Sequence, residues 1–207
     1  MTLFLIIFVV WAIVHSITAA FSTKRFVRKH IGAAAYEGLY RLGYNLFATL
    51  TFLPVLYVLA VAVPQTAVWN IPAPYSYASL AIRWTGIIGL VISAFQTDIW
   101  DFAGLRQAGR YLSGDNSIIP PPRLVIKGTY ALVRHPLYLF SMMMIWFYPV
   151  MTLNGLIFNV LVSIYFWIGA TYEEKRLAVE FGQDYVTYQQ KVPGFFPIKL
   201  GKHKRSG

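Results

Sequence analysis

Long apolar stretches separated by short polar segments dominate the pattern along this chain. A helix that crosses the hydrocarbon core of a bilayer needs about 20 mostly apolar residues. We therefore predict an all-α polytopic membrane protein with about five transmembrane helices, of which the last two are short for a full crossing. The predicted spans cover residues 3–20, 43–63, 82–102, 136–151 and 156–172.

Local patterns predict two further features near the C-terminal end. The pair Asn154-Gly155 lies between the last two spans and is typical of a tight turn, so these spans are predicted to form a helical hairpin. Downstream, an apolar or aromatic residue recurs at helical spacing at Leu177, Phe181, Tyr185 and Tyr188. This periodicity predicts one amphipathic helix that lies along the membrane surface and ends at Pro193.

Charged residues are scarce and strongly one-signed. Only 13% of the residues are charged, 57% are hydrophobic and the net charge is +10, whereas soluble domains carry about 25% charged residues. All of the 18 Lys and Arg residues except Arg83 flank the predicted spans on one side. The positive-inside rule makes that side cytoplasmic, with the N-terminus outside and the C-terminus inside. We assign the basic charge to topology and to membrane lipids, and not to nucleic acid. The basic tail 198–207 is predicted to contact lipid headgroups or to be a disordered end.

Polar side chains cluster at the predicted inner ends of the first three spans. They are His15, Ser16, Arg41, Tyr44, Asn45, Gln96, Asp98 and Asp101. Asp98 and Asp101 lie three residues apart and share one face of a helix. Such a pair suits acid–base chemistry or an ion pair with His15, Arg41 or Arg106 that anchors the helix, and we favour the anchoring interpretation. The chain has no cysteine and no two histidines at metal-ligand spacing, so we expect no metal site.

The start of the fourth span is the most informative junction. Pro136 suits the first position of a helix, and it disfavours a helical conformation for the preceding His135. The N–H groups from Leu137 to Leu139 are then the free donors of a helix N-terminus, where a carboxylate or polar ligand can bind beside Arg134 and His135. The alternative is an ordinary loop-to-helix junction, with Arg134 extended towards lipid headgroups.

Two ordered motifs carry a resemblance to a known family. The first is Gly128-x-Tyr130-x-x-x-Arg134-His135-Pro136-x-Tyr138, and the second is Glu173-Glu174-x-x-Leu177-x-x-x-Phe181-Gly182-x-x-Tyr185-x-x-Tyr188, followed by Val192-Pro193 and Pro197. Together they resemble the integral-membrane methyltransferases related to isoprenylcysteine carboxyl methyltransferase. That superfamily also contains phospholipid N-methyltransferases and bacterial thiol S-methyltransferases. The segments around Trp11, His15-Ser16 and Arg41-x-x-Tyr44-Asn45 look more like the thiol branch.

The resemblance implies S-adenosylmethionine as cofactor, bound at the cytoplasmic face of a bacterial inner membrane. Its expected contacts are Leu124, Val125, Tyr130, His135, Pro136, Leu137, Tyr138 and Glu173. We expect one membrane domain, with three spans in residues 1–102, the cofactor-binding part in residues 103–197 and the basic tail after it. The methyl group of a sulfonium is already activated, so transfer requires chiefly proximity and alignment with a small-molecule or lipid-like acceptor.

The acceptor is predicted to be a small thiol. Isoprenylcysteine enzymes carry an arginine for the substrate carboxylate one helical turn before the glutamate that matches Glu173, and here that position is Gly169. A thiol must lose its proton, and Arg134, His15 and Asp98 are the candidate catalytic residues. A lipid-amine N-methyltransferase and an isoprenylcysteine carboxyl O-methyltransferase are the alternatives within the family. A small channel or carrier, or a non-catalytic scaffold, would be a different class of protein.

Overall fold

The computed structural model describes residues 1–115 and 123–197, and the predicted basic tail lies outside these residues. The elements, in chain order, are α1 (Thr2–Ala19), α2 (Phe21–Ile31), α3 (Ala33–Ala62), β1 (Ala67–Asn70), α4 (Tyr75–Gln96), α5 (Ile99–Ala103), α6 (Leu105–Ser113), a 3₁₀ turn (Gly128–Ala131), α7 (Pro136–Trp146), β2 (Val150–Thr152), α8 (Leu153–Phe181) and α9 (Gln183–Lys191).

Four of these helices are long and apolar enough to cross a membrane. They are α1, α3, α4 and α8, with mean hydropathies of 2.3, 1.9, 1.6 and 1.7 over their most apolar windows. Many large apolar side chains on them are exposed, for example Leu50 at 63% and Val61 at 64%, which is the surface that lipid tails would cover. The all-α polytopic class predicted from the sequence is confirmed.

The fourth predicted span is shorter than expected. Helix α7 has 11 residues, about 16 Å at 1.5 Å per residue, against a hydrocarbon core of about 30 Å. The chain continues in an extended segment whose strand β2 pairs with β1. Two carbonyl groups near the C-terminal end of α7 are satisfied by side chains: Phe147 O accepts from Ser79 Oγ at 3.1 Å, and Ile145 O accepts from Asn159 Nδ2 at 2.8 Å. Non-helical backbone at membrane depth requires such partners.

The second and third predicted spans are displaced along the chain. Helix α3 begins at Ala33, ten residues before the predicted start, because helix-forming residues outside the bilayer extend it. Helix α4 covers Tyr75–Gln96 and not residues 82–102. It ends there because Asp98 has a left-handed backbone (φ 55°), so that the chain turns and starts the separate helix α5.

The predicted hairpin turn at Asn154-Gly155 is wrong. Both residues belong to the first turn of α8, which begins at Leu153. The Asn154 side-chain oxygen accepts from the N–H of Gly155 at 2.9 Å and from the Thr152 hydroxyl at 2.6 Å. Asparagine therefore satisfies donors at a helix start here, which is the other use of this residue type.

The single amphipathic helix predicted after the last span is also wrong. Helix α8 continues to Phe181, and Gly182 (φ 55°, ψ −131°) separates it from α9. Only glycine adopts this backbone conformation readily. The break turns Tyr185 and Tyr188 inward, where they are 1% and 7% exposed.

The described residues group into two compact units. The first contains residues 1–68, 97–115 and 152–158, and the second contains residues 69–96, 123–151 and 159–197. In the second unit α4 packs against α7 through glycine: a Cβ at Gly86 would lie 2.8 Å from the Met144 nitrogen. The predicted division into three spans before residue 102 and a cofactor-binding part after it differs from these two units, and it stays a prediction.

Candidate functional site

The motif segment before α7 is fixed by hydrogen bonds to the end of α4. The side-chain oxygen of Gln96 accepts from the N–H of Thr129 at 3.0 Å and from its hydroxyl at 2.7 Å. The Ser93 hydroxyl donates to the Thr129 hydroxyl at 2.9 Å. Gly128 (φ 63°) leaves no room for a Cβ, which would collide with Gln96. The turn of the first motif therefore has a rigid base on α4.

The junction with α7 has the predicted backbone. His135 is non-helical (φ −119°, ψ 62°), and Pro136 is the first residue of α7. The N–H of Leu139 donates to His135 O at 3.0 Å. The expected set of free donors therefore does not extend to Leu139, and Leu137 and Tyr138 are the free N–H groups that helix geometry leaves at this N-terminus.

His135 lies between two carboxylates from α8. Its Nε2 is 3.0 Å from Glu174 Oε1, and its Nδ1 is 3.6 Å from Glu173 Oε2. Tyr138, one turn along α7, donates its hydroxyl to Glu173 Oε2 at 3.0 Å. The structure thus brings together three of the predicted cofactor contacts, His135, Tyr138 and Glu173, from two separate motifs.

The charge of His135 follows from this position. The imidazole is 4% exposed, and burial alone would lower its pKa. The hydrogen bonds and negative charges of Glu173 and Glu174 outweigh burial and raise the pKa of His135 above its usual value. The protonated ring donates from Nε2 to Glu174, and its positive charge also faces the Glu173 carboxylate 3.6 Å from Nδ1.

Arg134 binds protein groups and not lipid headgroups. Its guanidinium donates to Glu174 Oε1 at 2.7 Å, to Gln189 O at 3.1 Å and to Val192 O at 2.6 Å. The side chain is only 14% exposed, so the alternative that Arg134 extends to headgroups is wrong. Its main-chain N–H also donates to Pro193 O at 2.8 Å. Arg134 therefore positions the chain after α9 beside α7.

That segment places an aromatic ring beside the site. The Phe195 ring lies 5.3 Å from the His135 ring and 6.1 Å from the Tyr138 ring. Phe195 lies between Pro193 and Pro197 of the second motif, and the sequence indicated no role for it or for Gln189, while Gln96 was predicted only as part of the polar cluster. Gln189 donates to Glu174 Oε2 at 2.9 Å. Its position on the inward face of α9 is the feature of the sequence that could have indicated this contact.

The remaining predicted cofactor contacts belong to the chain segment that leads into α7. Leu124 and Val125 are half-buried in the extended chain before the 3₁₀ turn, and Pro136 is buried. Tyr130 accepts a hydrogen bond on its carbonyl from the Tyr188 hydroxyl. Burial raises the pKa of Tyr188 to about 12, so this hydroxyl keeps its proton and stays a donor.

His15 and Asp98 belong to the first unit. His15 Nε2 lies 2.9 Å from the Tyr44 hydroxyl, and its ring stacks on Trp11 with centroids 4.9 Å apart. Asp98 caps α5 by accepting from the Asp101 N–H at 3.3 Å.

Asp98 and Asp101 each pair with an arginine. Asp98 lies 2.8 Å from Arg106, and Asp101 lies 2.8 Å from Arg41. The ion pairs that the anchoring interpretation predicted are present, but the shared helix face is not, because Asp98 is the left-handed N-cap of α5. Within residues 1–115 and 123–197, no group of three or more His, Cys, Asp or Glu side chains is arranged to hold a metal ion.

The fold and this site define an integral-membrane protein with a buried histidine–carboxylate cluster between its last two apolar helices. The model of the phospholipid methyltransferase family matches residues 82–184, which contain both motifs up to Asp184. A methanethiol S-methyltransferase from a Pseudomonas species is 33% identical over 194 residues, which cover 93% of this chain and 71% of the relative. The chain belongs to the family of membrane methyltransferases that these matches define, as the two motifs predicted.

Other similar proteins are also methanethiol S-methyltransferases. Methanethiol S-methyltransferase 1 of Bradyrhizobium diazoefficiens is 29% identical over 93% of this chain and 65% of its own length. The methanethiol S-methyltransferase of Mycobacterium tuberculosis is 26% identical over 93% of this chain and 76% of its own length. The chain therefore spans about two thirds to three quarters of these relatives. No solved structure matches it.

Proposed function

We propose that this protein transfers a methyl group from S-adenosylmethionine to a small thiol at the cytoplasmic face of a bacterial inner membrane. The observation that carries the proposal is the cluster of His135, Tyr138 and Glu173 at the start of α7. It lies within the region that matches the methyltransferase family. A channel, carrier or scaffold has no comparable support.

The donor set of this cluster suits the polar groups of S-adenosylmethionine. Glu173 Oε1 lies 3.9 Å from Arg176, beyond hydrogen-bond distance, so it can accept from an ammonium or hydroxyl group. The first N–H groups of α7 can bind a carboxylate. Leu124, Val125, Tyr130, Pro136 and Leu137 complete the proposed contacts.

The cofactor would supply an activated methyl group, and the chain would supply alignment. A thiolate sulfur would form the new bond to the methyl carbon as the bond to the donor sulfur breaks, which would yield a thioether and S-adenosylhomocysteine. His15 is our proposed acceptor of the thiol proton, because an imidazole exchanges a proton near neutral pH. Arg134 and Asp98 act as positioning residues in this proposal, because their side chains pair with Glu174 and Arg106.

A small thiol is favoured by the relatives, whose names specify methanethiol. The structure adds that a Cβ at Gly169 would lie 3.8 Å from the Tyr138 hydroxyl. The position that carries an arginine in isoprenylcysteine enzymes therefore borders this site without a cation for a substrate carboxylate. The family model, named for phospholipid methylation, makes a lipid amine the second candidate acceptor.

Two measurements test the proposal. Isothermal titration of the purified chain should show binding of S-adenosylmethionine, and Glu173→Gln should weaken it about tenfold, since a hydrogen bond to a charged group is worth about 1.5–3 kcal/mol. Glu180→Gln, on the exposed end of the same helix, is the matched control. A transfer assay with methanethiol, a lipid amine and a prenylcysteine identifies the acceptor. A wild-type chain that binds no S-adenosylmethionine would contradict the proposal.

A further inference from the structure

Four aromatic rings stand in a nearly parallel row at the candidate site, and we call them the aromatic row. Their order is Trp167, Phe195, Tyr138 and Phe166. Neighbouring centroids lie 5.3, 6.1 and 4.7 Å apart, at interplanar angles of 15°, 22° and 17°. Three of the rings come from α7 and α8, whereas Phe195 comes from the segment after α9.

Main-chain hydrogen bonds, and not packing alone, hold Phe195 in the row. The N–H groups of Arg134 and His135 donate to the carbonyls of Pro193 and Gly194 at 2.8 and 3.1 Å. The Arg134 guanidinium also binds Val192 O. These hydrogen bonds therefore fix the position of Phe195, which follows Gly194 in the sequence.

Charges of both signs border the row: the Glu173 carboxylate at the Tyr138 hydroxyl, and the protonated His135 ring 5.3 Å from the Phe195 ring. The face of an aromatic ring is electron-rich and attracts cations within about 6 Å. Tyr138, in the middle of the row, donates its hydroxyl to the carboxylate of Glu173, which adds a negative charge at the same place. The carboxylate of Glu174 already pairs with Arg134, whereas Glu173 Oε1 lies 3.9 Å from Arg176, beyond hydrogen-bond distance, and can accept from a ligand.

We propose that Phe195, backed by Trp167, recognises the positive sulfonium of the methyl donor and so distinguishes the donor from its demethylated product. The inference rests on the proposed function. S-adenosylmethionine carries a sulfonium, whereas S-adenosylhomocysteine carries a neutral thioether and is otherwise nearly identical. An aromatic face gains free energy from the charged ligand and little from the neutral one. Selective binding of the donor also favours release of the product.

The test compares the affinities of both ligands by isothermal titration. We expect Phe195→Leu, which keeps an apolar side chain but removes the ring, to weaken S-adenosylmethionine binding about fivefold, within the range of cation–π interactions. Binding of S-adenosylhomocysteine should change less than twofold. Phe195→Tyr keeps the ring and should preserve the wild-type ratio of affinities. Phe196→Leu is the matched control, because Phe196 is adjacent and 56% exposed.

An unchanged ratio of the two affinities in Phe195→Leu would overturn the inference, and an equal loss for both ligands would indicate packing alone. Binding of neither ligand by the wild-type chain would instead contradict the proposed function. Trp167→Leu provides a second variant if Phe195→Leu lowers the yield of folded protein, since Trp167 is 60% exposed. It should reduce the ratio in the same direction by a smaller factor, and an unchanged ratio in this variant also overturns the inference.

Discussion

Arg134 connects three parts of the second unit through one side chain and its own backbone. Its guanidinium reaches α8 at Glu174 and the end of α9 at Gln189 and Val192. A buried ion pair contributes little net free energy when it is intact, but the loss of one partner leaves a buried charge without compensation. Removal of Arg134 should therefore destabilise the fold chiefly by leaving the Glu174 carboxylate without its partner.

We expect Arg134→Gln to lower the free energy of unfolding by about 3 kcal/mol, the usual cost of breaking a buried pair. Arg176→Gln is the control. Arg176 is 43% exposed and lies 3.9 Å from Glu173, and an exposed pair of this kind is worth about 0–1 kcal/mol. Denaturant unfolding in detergent measures both. Equal effects of the two substitutions would argue against the positioning role of Arg134.

His135 makes the stability of the second unit depend on pH. Its folded-state pKa is raised by Glu173 and Glu174 above the unfolded value of about 6.5. The protonated ring therefore stabilises the fold fully below about pH 6.5, and this contribution is lost as pH rises through the folded pKa.

Thermal unfolding of the wild-type chain should show a midpoint that falls as pH rises above about 6.5. His135→Gln should remove this part of the pH dependence. His30→Gln, at an exposed site on α2, should keep the wild-type profile. A wild-type midpoint that rises over the same interval would contradict the assignment of the proton to His135.

The helices show which parts of the fold hydropathy can predict. The apolar stretch of α1 predicts its bounds to within one residue, because transfer of side chains into lipid decides where it lies. The breaks at Asp98 and Gly182 depend on single backbone angles, and the composition of a window does not encode these. The short α7 depends on side-chain partners far away in sequence, Ser79 and Asn159.

The contact between α4 and α7 depends on glycine. A Cβ at Gly86 would lie 2.8 Å from Met144 N and 2.9 Å from Phe140 O, and a main chain cannot yield as a flexible side chain does. We expect Gly86→Ala to cost about 1–3 kcal/mol of stability, and to weaken ligand binding because α7 begins at the site. Gly43→Ala is the control: nothing lies within 4 Å of its Cβ, and alanine there favours the helix by up to about 1 kcal/mol. Similar unfolding curves for both variants would contradict this packing argument.

At the scale of the whole chain, the two sequence motifs predicted which residues of the site lie together, but they did not predict every side chain that borders it. The two motifs predicted that His135, Tyr138 and Glu173 lie together, and the structure brings them together, with His135 and Tyr138 at the start of α7 and Glu173 on α8. Phe195 escaped notice because its importance comes from the backbone bonds that place it, 60 positions after the motif it joins. Long-range pairing of this kind has no periodic signal in one sequence.

The distribution of charge predicts the orientation of the whole molecule. Arg83 is the one basic residue outside the predicted cytoplasmic side, and the positive-inside rule then places the N-terminus outside and the C-terminus inside. The chain has no cysteine, so a single introduced thiol reports its own side without background.

We expect Gln65→Cys, in the exposed segment after α3, to react with a membrane-impermeant maleimide in intact spheroplasts. Lys29→Cys, on exposed α2, should react only after permeabilisation, because the basic flank of a span is retained on the cytoplasmic side. Thiols at both positions in permeabilised samples serve as the control for reactivity. Labelling of Lys29→Cys in intact spheroplasts would contradict the predicted orientation. The His135 cluster is predicted at the basic ends of the spans, so it would then face away from a cytoplasmic methyl donor.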